Sequence, residues 1–162
     1  MLAKLRCYVA SPLGFSEAGR HYYTGVLLPA LREIVEPVDP WALVSDAELA
    51  EAARTGGERA LAAEIGRRNT EALGSCELLV AVLDGQEVDA GTAAEIGYAS
   101  ALGLLCLGLR TDHRETGEAG ATVNLQLESF LVASGGGISG SLEELLAALS
   151  DAVAQRPVAT AA

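Results

Sequence analysis

Positive charge is scarce in this sequence. Its 162 residues hold 11 Lys and Arg against 22 Asp and Glu, a formal net charge of -11. Nucleic-acid and anionic-membrane surfaces need clustered Lys and Arg, which argues against both as partners. The one lysine, Lys4, belongs to no Walker-type phosphate loop, and the first turn reads S-P-L-G-F rather than G-x-G-x-x-G. No apolar run approaches the length of a membrane span. The two histidines, His21 and His113, are far apart, so there is no metal-ligand cluster, and Ser11 has no partner base for a Ser-His-Asp arrangement. The three cysteines, Cys7, Cys76 and Cys106, lack C-x-x-C spacing. An odd number without a secretory signal reads as reduced, buried thiols in a cytoplasmic protein.

Aromatic residues are also few, at 4%, while hydrophobic residues make up 50%. The core is therefore aliphatic and rich in alanine, and the length suffices for one domain. Residues 1–155 are expected to form it, with 156–162 as a frayed tail. Strand-like runs at 5–10, 36–38, 78–83 and 104–109 alternate with helix-like stretches at 16–35, 46–54, 58–73 and 92–102. The 78–83 run, L-L-V-A-V-L, is apolar without a break, as expected of a parallel strand covered on both faces. Residues 129–133 read as a last short strand and 142–154 as a closing helix. Residues 111–121 read as a mobile polar loop, and Gly135-Gly136-Gly137 as a flexible connection. This alternation gives an α/β fold, a doubly wound parallel sheet of Rossmann-like or flavodoxin-like type with flanking helices.

In such sheets ligands bind outside the carboxyl ends of the strands. There, directly after the 78–83 strand, residues 84–99 read D-G-Q-E-V-D-A-G-T-A-A-E-I-G-Y-A. Two readings of Glu95 compete. Thr92-Ala93-Ala94-Glu95 fits a capping box, in which the two side chains satisfy each other's backbone donors. Against it, Asp84, Asp89 and Glu95 would share one crevice, and like charges are not gathered for stability. A helix N-terminus offsets that repulsion and would keep Glu95 ionised, as a nucleophile must be. With the neighbours counted, the chemical reading carries more weight. Asp84-Gly85 alone is a turn, Asp89 a loop acid or extra cap, and Gly91 a position for close backbone approach. Tyr8 is a half-buried strand residue whose hydroxyl either finds an ordinary partner or reaches the crevice acids. Phe15 and Trp41 follow the first and second strands on the crevice side, where aromatics suit a flat ligand such as a nucleobase.

Taken together, residues 8–15 (Y-V-A-S-P-L-G-F), Leu83-Asp84-Gly85, residues 89–99 (D-A-G-T-A-A-E-I-G-Y-A) and Val123-Asn124-Leu125 resemble the nucleoside 2-deoxyribosyltransferase family. The resemblance runs in order over roughly residues 5–154. It implies that Glu95 is the nucleophile that attacks the anomeric carbon of a 2'-deoxynucleoside, and that Tyr8 orients that carboxylate. It further implies that Asp89 holds the sugar hydroxyls, with Ser11, Gly14, Phe15, Trp41, Asp84 and Gly91 around the substrate. Asn69 falls where some members carry an aspartate that handles the departing base and others carry Asn. Asn124 matches an asparagine donated to a neighbouring active site, which implies a homo-oligomer. The implied substrates are 2'-deoxynucleosides and free nucleobases, as in nucleotide salvage. A carboxylate nucleophile divides glycosidic exchange into two steps and retains configuration, with no metal or organic cofactor required. The alternatives are a 2'-deoxynucleoside 5'-monophosphate N-glycoside hydrolase and a non-catalytic nucleoside-binding module. The first is disfavoured by the neutral, apolar Ser11 to Phe15 turn.

Overall fold

The computed structural model describes residues 4–114 and 116–155. The tail expected at 156–162 lies outside the described residues. Five strands, β1 (Arg6–Ala10), β2 (Glu36–Val38), β3 (Leu78–Val82), β4 (Leu105–Leu109) and β5 (Gly137–Ser139), form one sheet in the order β2-β1-β3-β4-β5. Every pairing is parallel. The chain moves outward from β1 to β2 on one side and returns through β3 on the other. The carboxyl ends of β1 and β3 therefore flank a switch point, where doubly wound sheets bind ligands.

Alternate residues of each strand feed opposite faces, and both are covered. Tyr8, Ala10, Leu79, Ala81 and Cys106 point to one face, where they meet Ile96 and Ala99 of α5 (Ala90–Ala101) and Leu127 and Leu131 of α6 (Leu125–Ala133). Cys7, Val9, Leu78, Val80 and Leu107 point to the other. There they meet Leu28 and Leu31 of α2 (Leu28–Ile34) and Leu145 and Leu149 of α7 (Leu142–Gln155). Leu31, Leu145 and Leu149 are fully buried, and each contributes about 1.5–3 kcal/mol by leaving water. The three cysteines are free and buried.

The first helical stretch is not uniform. Ser16 caps α1 (Glu17–Tyr22), a single π-helical turn spans Tyr23–Leu27, and α2 follows directly. Pro29 explains the wide turn. It brings no N–H and its ring crowds the carbonyl four residues back, so the preceding turn opens. The helices α3 (Asp46–Thr55) and α4 (Glu58–Gly74) match the expected pair, broken at Gly56, whose φ of 69° suits glycine.

Two expectations are corrected. Residues 129–133 are the end of α6, not a strand, and Leu127 and Leu131 bury one face at helical spacing. The last strand is β5, which starts at Gly137, the end of what reads in sequence as a flexible glycine connection. Gly135 has φ 88°, and a Cβ on Gly136 would lie 1.9 Å from the Cys106 carbonyl oxygen. The glycines are there so that the chain can turn and lie against β4.

Candidate active site

Helix α5 begins two residues before Thr92, and this decides what Glu95 can do. Asp89 is the N-cap, its Oδ2 accepting the Thr92 N–H at 2.9 Å. Asp and Thr both cap helices, Asp the better, and with Asp89 in that post Thr92 becomes an interior residue. Glu95 moves into the second turn, beyond its own helix's orphan donors, and the capping-box reading fails. Thr92, Ile96 and Ala99 are buried along one side of α5, and Glu95 lies beside them at the sheet's rim.

From β1 the fully buried Tyr8 reaches the same point, and its Oη donates to Glu95 Oε1 at 2.6 Å. Burial pushes the Glu95 carboxyl above its ordinary range and Asp89's charge pushes it further, while the Tyr8 hydrogen bond pulls it down. The field of the α5 N-terminus, expected to favour the charged carboxylate, does not reverse this upward shift. That field fades within the first turn, and desolvation outweighs it. Burial and the Glu95 hydrogen bond raise the Tyr8 phenol, so Tyr8 remains a donor.

A cavity of about 300 Å³ opens beside Glu95, lined by Ser11, Phe15, Pro40, Trp41, Ile65, Asn69, Asp89, Gly91, Thr92 and Glu95. A second hollow of about 390 Å³ shares Asn69, Gly91 and Glu95 with it and adds Thr70, Leu73 and Tyr98. A further hollow, about 570 Å³ between β5 and α7, shares no lining residue with either, and Asp151 is the one acid or base among its lining residues. Phe15 meets Trp41 edge to face, with ring centroids 4.7 Å apart at 86°. Trp41 Nε1 donates to the Ser11 carbonyl at 3.2 Å. Opposite, Ile65 and Asn69 are four residues apart on α4, hence on one face. The Asn69 Oδ1 is buried without a hydrogen-bond partner, an acceptor at the cavity wall that a ligand could satisfy.

Not every expected residue lines this space. Gly14 lies behind the wall. A Cβ there would be 2.2 Å from the Trp41 ring, so only glycine lets the indole lie against the first turn. Asp84 does not share the crevice with Asp89 and Glu95. Its Oδ1 accepts the Thr111 and Asp112 N–H groups at 2.6 and 2.9 Å and its Oδ2 accepts the Thr111 hydroxyl at 2.7 Å. It ties the end of β3 to the end of β4. Asn124 is the N-cap of α6, with its amide donating to Glu118 Oε1 at 3.1 Å, and lies outside this chain's cavity. Ile65 and Pro40 line the cavity without being singled out in the sequence, and Thr92, read there as a helix cap, lines it too. The α4 pair had a signal, since Ile65 and Asn69 are one helical turn apart. Among the described residues, no cluster of His, Cys, Asp and Glu could hold a metal ion, and no helix is long and apolar enough to cross a membrane.

A 2-deoxyribosyltransferase from Leishmania mexicana is similar over 94% of this chain and 99% of its own, at 26% identity and a TM-score of 0.64. A conserved protein from Enterococcus faecalis V583 is similar over 93% and 99%, at 25% identity and a TM-score of 0.67. A CMP N-glycosidase from Clostridium botulinum shares the fold over 91% and 98%, at 19% identity and a TM-score of 0.52. No curated protein matches the chain. The model of the nucleoside 2-deoxyribosyltransferase family matches residues 7–134, a span that includes Tyr8, Asp89 and Glu95 and the cavity between them. The chain belongs to the nucleoside 2-deoxyribosyltransferase family.

Proposed function

We propose that this protein transfers 2-deoxyribose between nucleobases through a covalent ester on Glu95, with retention of configuration. The observation that carries the reading is the 2.6 Å Tyr8–Glu95 hydrogen bond at the edge of a 300 Å³ cavity. The bond occupies Oε1 and leaves Oε2 for the anomeric carbon. In the first step the carbon–nitrogen bond breaks as the Oε2–carbon bond forms, and the base departs with the electron pair and takes up a proton. In the second step a different base attacks the same carbon from the opposite side, releasing the carboxylate and losing its own proton. Two inversions restore the original configuration.

In this mechanism Asp89 combines its capping duty with a hydrogen bond to the sugar. Asn69 meets the base with its unpartnered oxygen, and Phe15 and Trp41 face the base's flat surface. The lining holds two carboxylates and no Lys or Arg, which favours a nucleoside over its phosphorylated form. Asn124, remote from this chain's cavity, serves a neighbouring copy in a homo-oligomer.

The test is to incubate a 2'-deoxynucleoside with a second free base and follow both exchange and hydrolysis. Exchange, together with a deoxyribosyl adduct on the Glu95 peptide after reaction with a slow fluorinated deoxynucleoside, supports the reading. Undiminished exchange in Glu95→Ala refutes it. Faster turnover of the 5'-monophosphate, with release of base alone, would point to the hydrolase instead.

A further inference from the structure

Directly after β2, one carboxylate oxygen organises the aromatic side of the cavity. Asp39 Oδ1 accepts the Tyr23 hydroxyl at 2.8 Å and the Trp41 backbone N–H at 3.0 Å. The first bond ties Asp39 to the π-helical turn, where Tyr23 is 2% exposed. The second caps the short helical turn Pro40–Ala42, which carries Trp41. Trp41 is then fixed at three further places: by its indole N–H on the Ser11 carbonyl, by the edge-to-face contact with Phe15, and by its seat on Gly14. A ring that is 38% exposed needs such restraint if it is to present a constant face.

We propose that Asp39 is a positioning residue for base recognition, holding Trp41 as a preformed wall through its shared bonds to Tyr23 and the Trp41 backbone. Asp39 does not line the cavity and touches no reacting atom. It acts by removing the freedom that Trp41 would otherwise lose when a base binds, and preorganisation of this kind improves affinity without new contacts. The effect belongs in base and nucleoside binding rather than in the glycosidic step, which is the work of Tyr8 and Glu95. Burial and the Asp39 carboxylate push the Tyr23 phenol well above its usual range, so this donor is constant across the working pH. The inference rests on the proposed function only in taking the ligand to be a nucleobase.

Trp41 is the chain's only tryptophan, so its fluorescence reads the wall directly and without catalysis. In Asp39→Ala the emission is expected to shift to the red and acrylamide quenching to rise. The Kd for a free purine base, adenine as probe, rises about two- to tenfold, the cost of immobilising one side chain on binding. KM for the deoxynucleoside rises in parallel while kcat stays within about threefold. Asp39→Asn keeps an acceptor oxygen and restores most of the quenching behaviour and the affinity. If Asp39→Ala fails to fold, Tyr23→Phe tests the same tether from its other end and gives the same direction of change. Unchanged Trp41 quenching in the folded variants overturns the proposal, as does a loosened Trp41 with unchanged base affinity. A fall in kcat with KM unchanged overturns it too, since Asp39 would then act on the chemistry. Should the wild type show no exchange at all, the free-protein quenching and adenine titration still decide the role of Asp39.

Discussion

Replacing Tyr8 by Phe removes one oxygen from the edge of the cavity and leaves the ring to pack as before. Tyr8 is fully buried between β2 and β3, with Val38 and Leu79 as its register partners, so the strand keeps its apolar contacts. What is lost is the 2.6 Å bond to Glu95 Oε1. Hydrogen bonds to charged groups contribute about 1.5–3 kcal/mol. If that bond orients the attacking carboxylate, kcat/KM should fall roughly 10- to 150-fold. A second effect separates this from simple misfolding. The bond is the one influence pulling the Glu95 carboxyl down against burial and Asp89, so its removal lets the pKa rise further. Attack needs the ionised form, and activity must therefore fall as pH drops through the Glu95 pKa. In Tyr8→Phe this acid limb should lie at higher pH than in the wild type. Initial rates of base exchange between about pH 4 and 9, followed by chromatography of the product nucleoside, measure both effects. An unmoved acid limb with kcat/KM within twofold of the wild type would refute the argument.

Four further outcomes follow from the same geometry. Glu95→Gln should abolish exchange yet stabilise the fold. The folded-state carboxyl pKa is raised, so the native state holds its proton more tightly and stability falls as pH rises from the ordinary Glu range through the raised value. At neutral pH the substitution should add about 0.5–2 kcal/mol, seen as a higher Tm, and the gain should vanish below about pH 4; a lower Tm at pH 7 contradicts it. Asp84→Ala should cost about 1–2 kcal/mol by freeing the β3–β4 tether, while kcat/KM per folded molecule stays near the wild-type value in an active-site titration. Asp89→Ala should lose activity and shift Glu95, because Thr92 becomes the next available cap, whereas Asp89→Asn keeps the cap and tests the sugar contact alone. Mixing Glu95→Ala with Asn124→Ala should restore part of the exchange activity after subunit shuffling if Asn124 serves a neighbouring copy, and no recovery would remove it from the site.

The fold was legible because its strands are short and apolar and its helices carry their own stop signals. The 78–83 run announces a doubly covered strand, and Gly56-Gly57 marks the α3–α4 break. What misled were two features that local pattern cannot settle. The short run at 129–133, S-F-L-V-A, shows neither helical nor strand period on its own, and only the wider spacing of Leu127 and Leu131 reveals the helix. The glycine run reads as slack, but its need comes from a backbone approach to β4 that no single stretch displays. The pairing of Tyr8 with Glu95 is across 87 positions; the residues alone left it as one of two options for the Tyr8 hydroxyl, and the resemblance named the partner. Asp84 was misplaced because closeness in sequence to Asp89 and Glu95 is not closeness in space. The strand end faces β4, and its carboxylate is taken by the Thr111 and Asp112 backbone.

The choice of helix start is what separates a structural glutamate from a reactive one here. Two residues within α5's first turn can cap it, and each choice gives Glu95 a different life. With Thr92 as cap, Glu95 would be the third helical residue, its carboxylate folded back on an N–H and well stabilised, hence a poor nucleophile. With Asp89 as cap, the donors of the first turn are met by another side chain, and Glu95 is carried into the second turn against Tyr8. There it is short of water, has one strong donor and stands beside an open cavity. In the proposed mechanism, bonding to carbon would neutralise its charge and so remove the cost of burying it. A fold that adopts the second arrangement, and caps the helix with a further acid only six positions before Glu95, holds two carboxylates close enough for one to raise the other's pKa at the wall of one cavity.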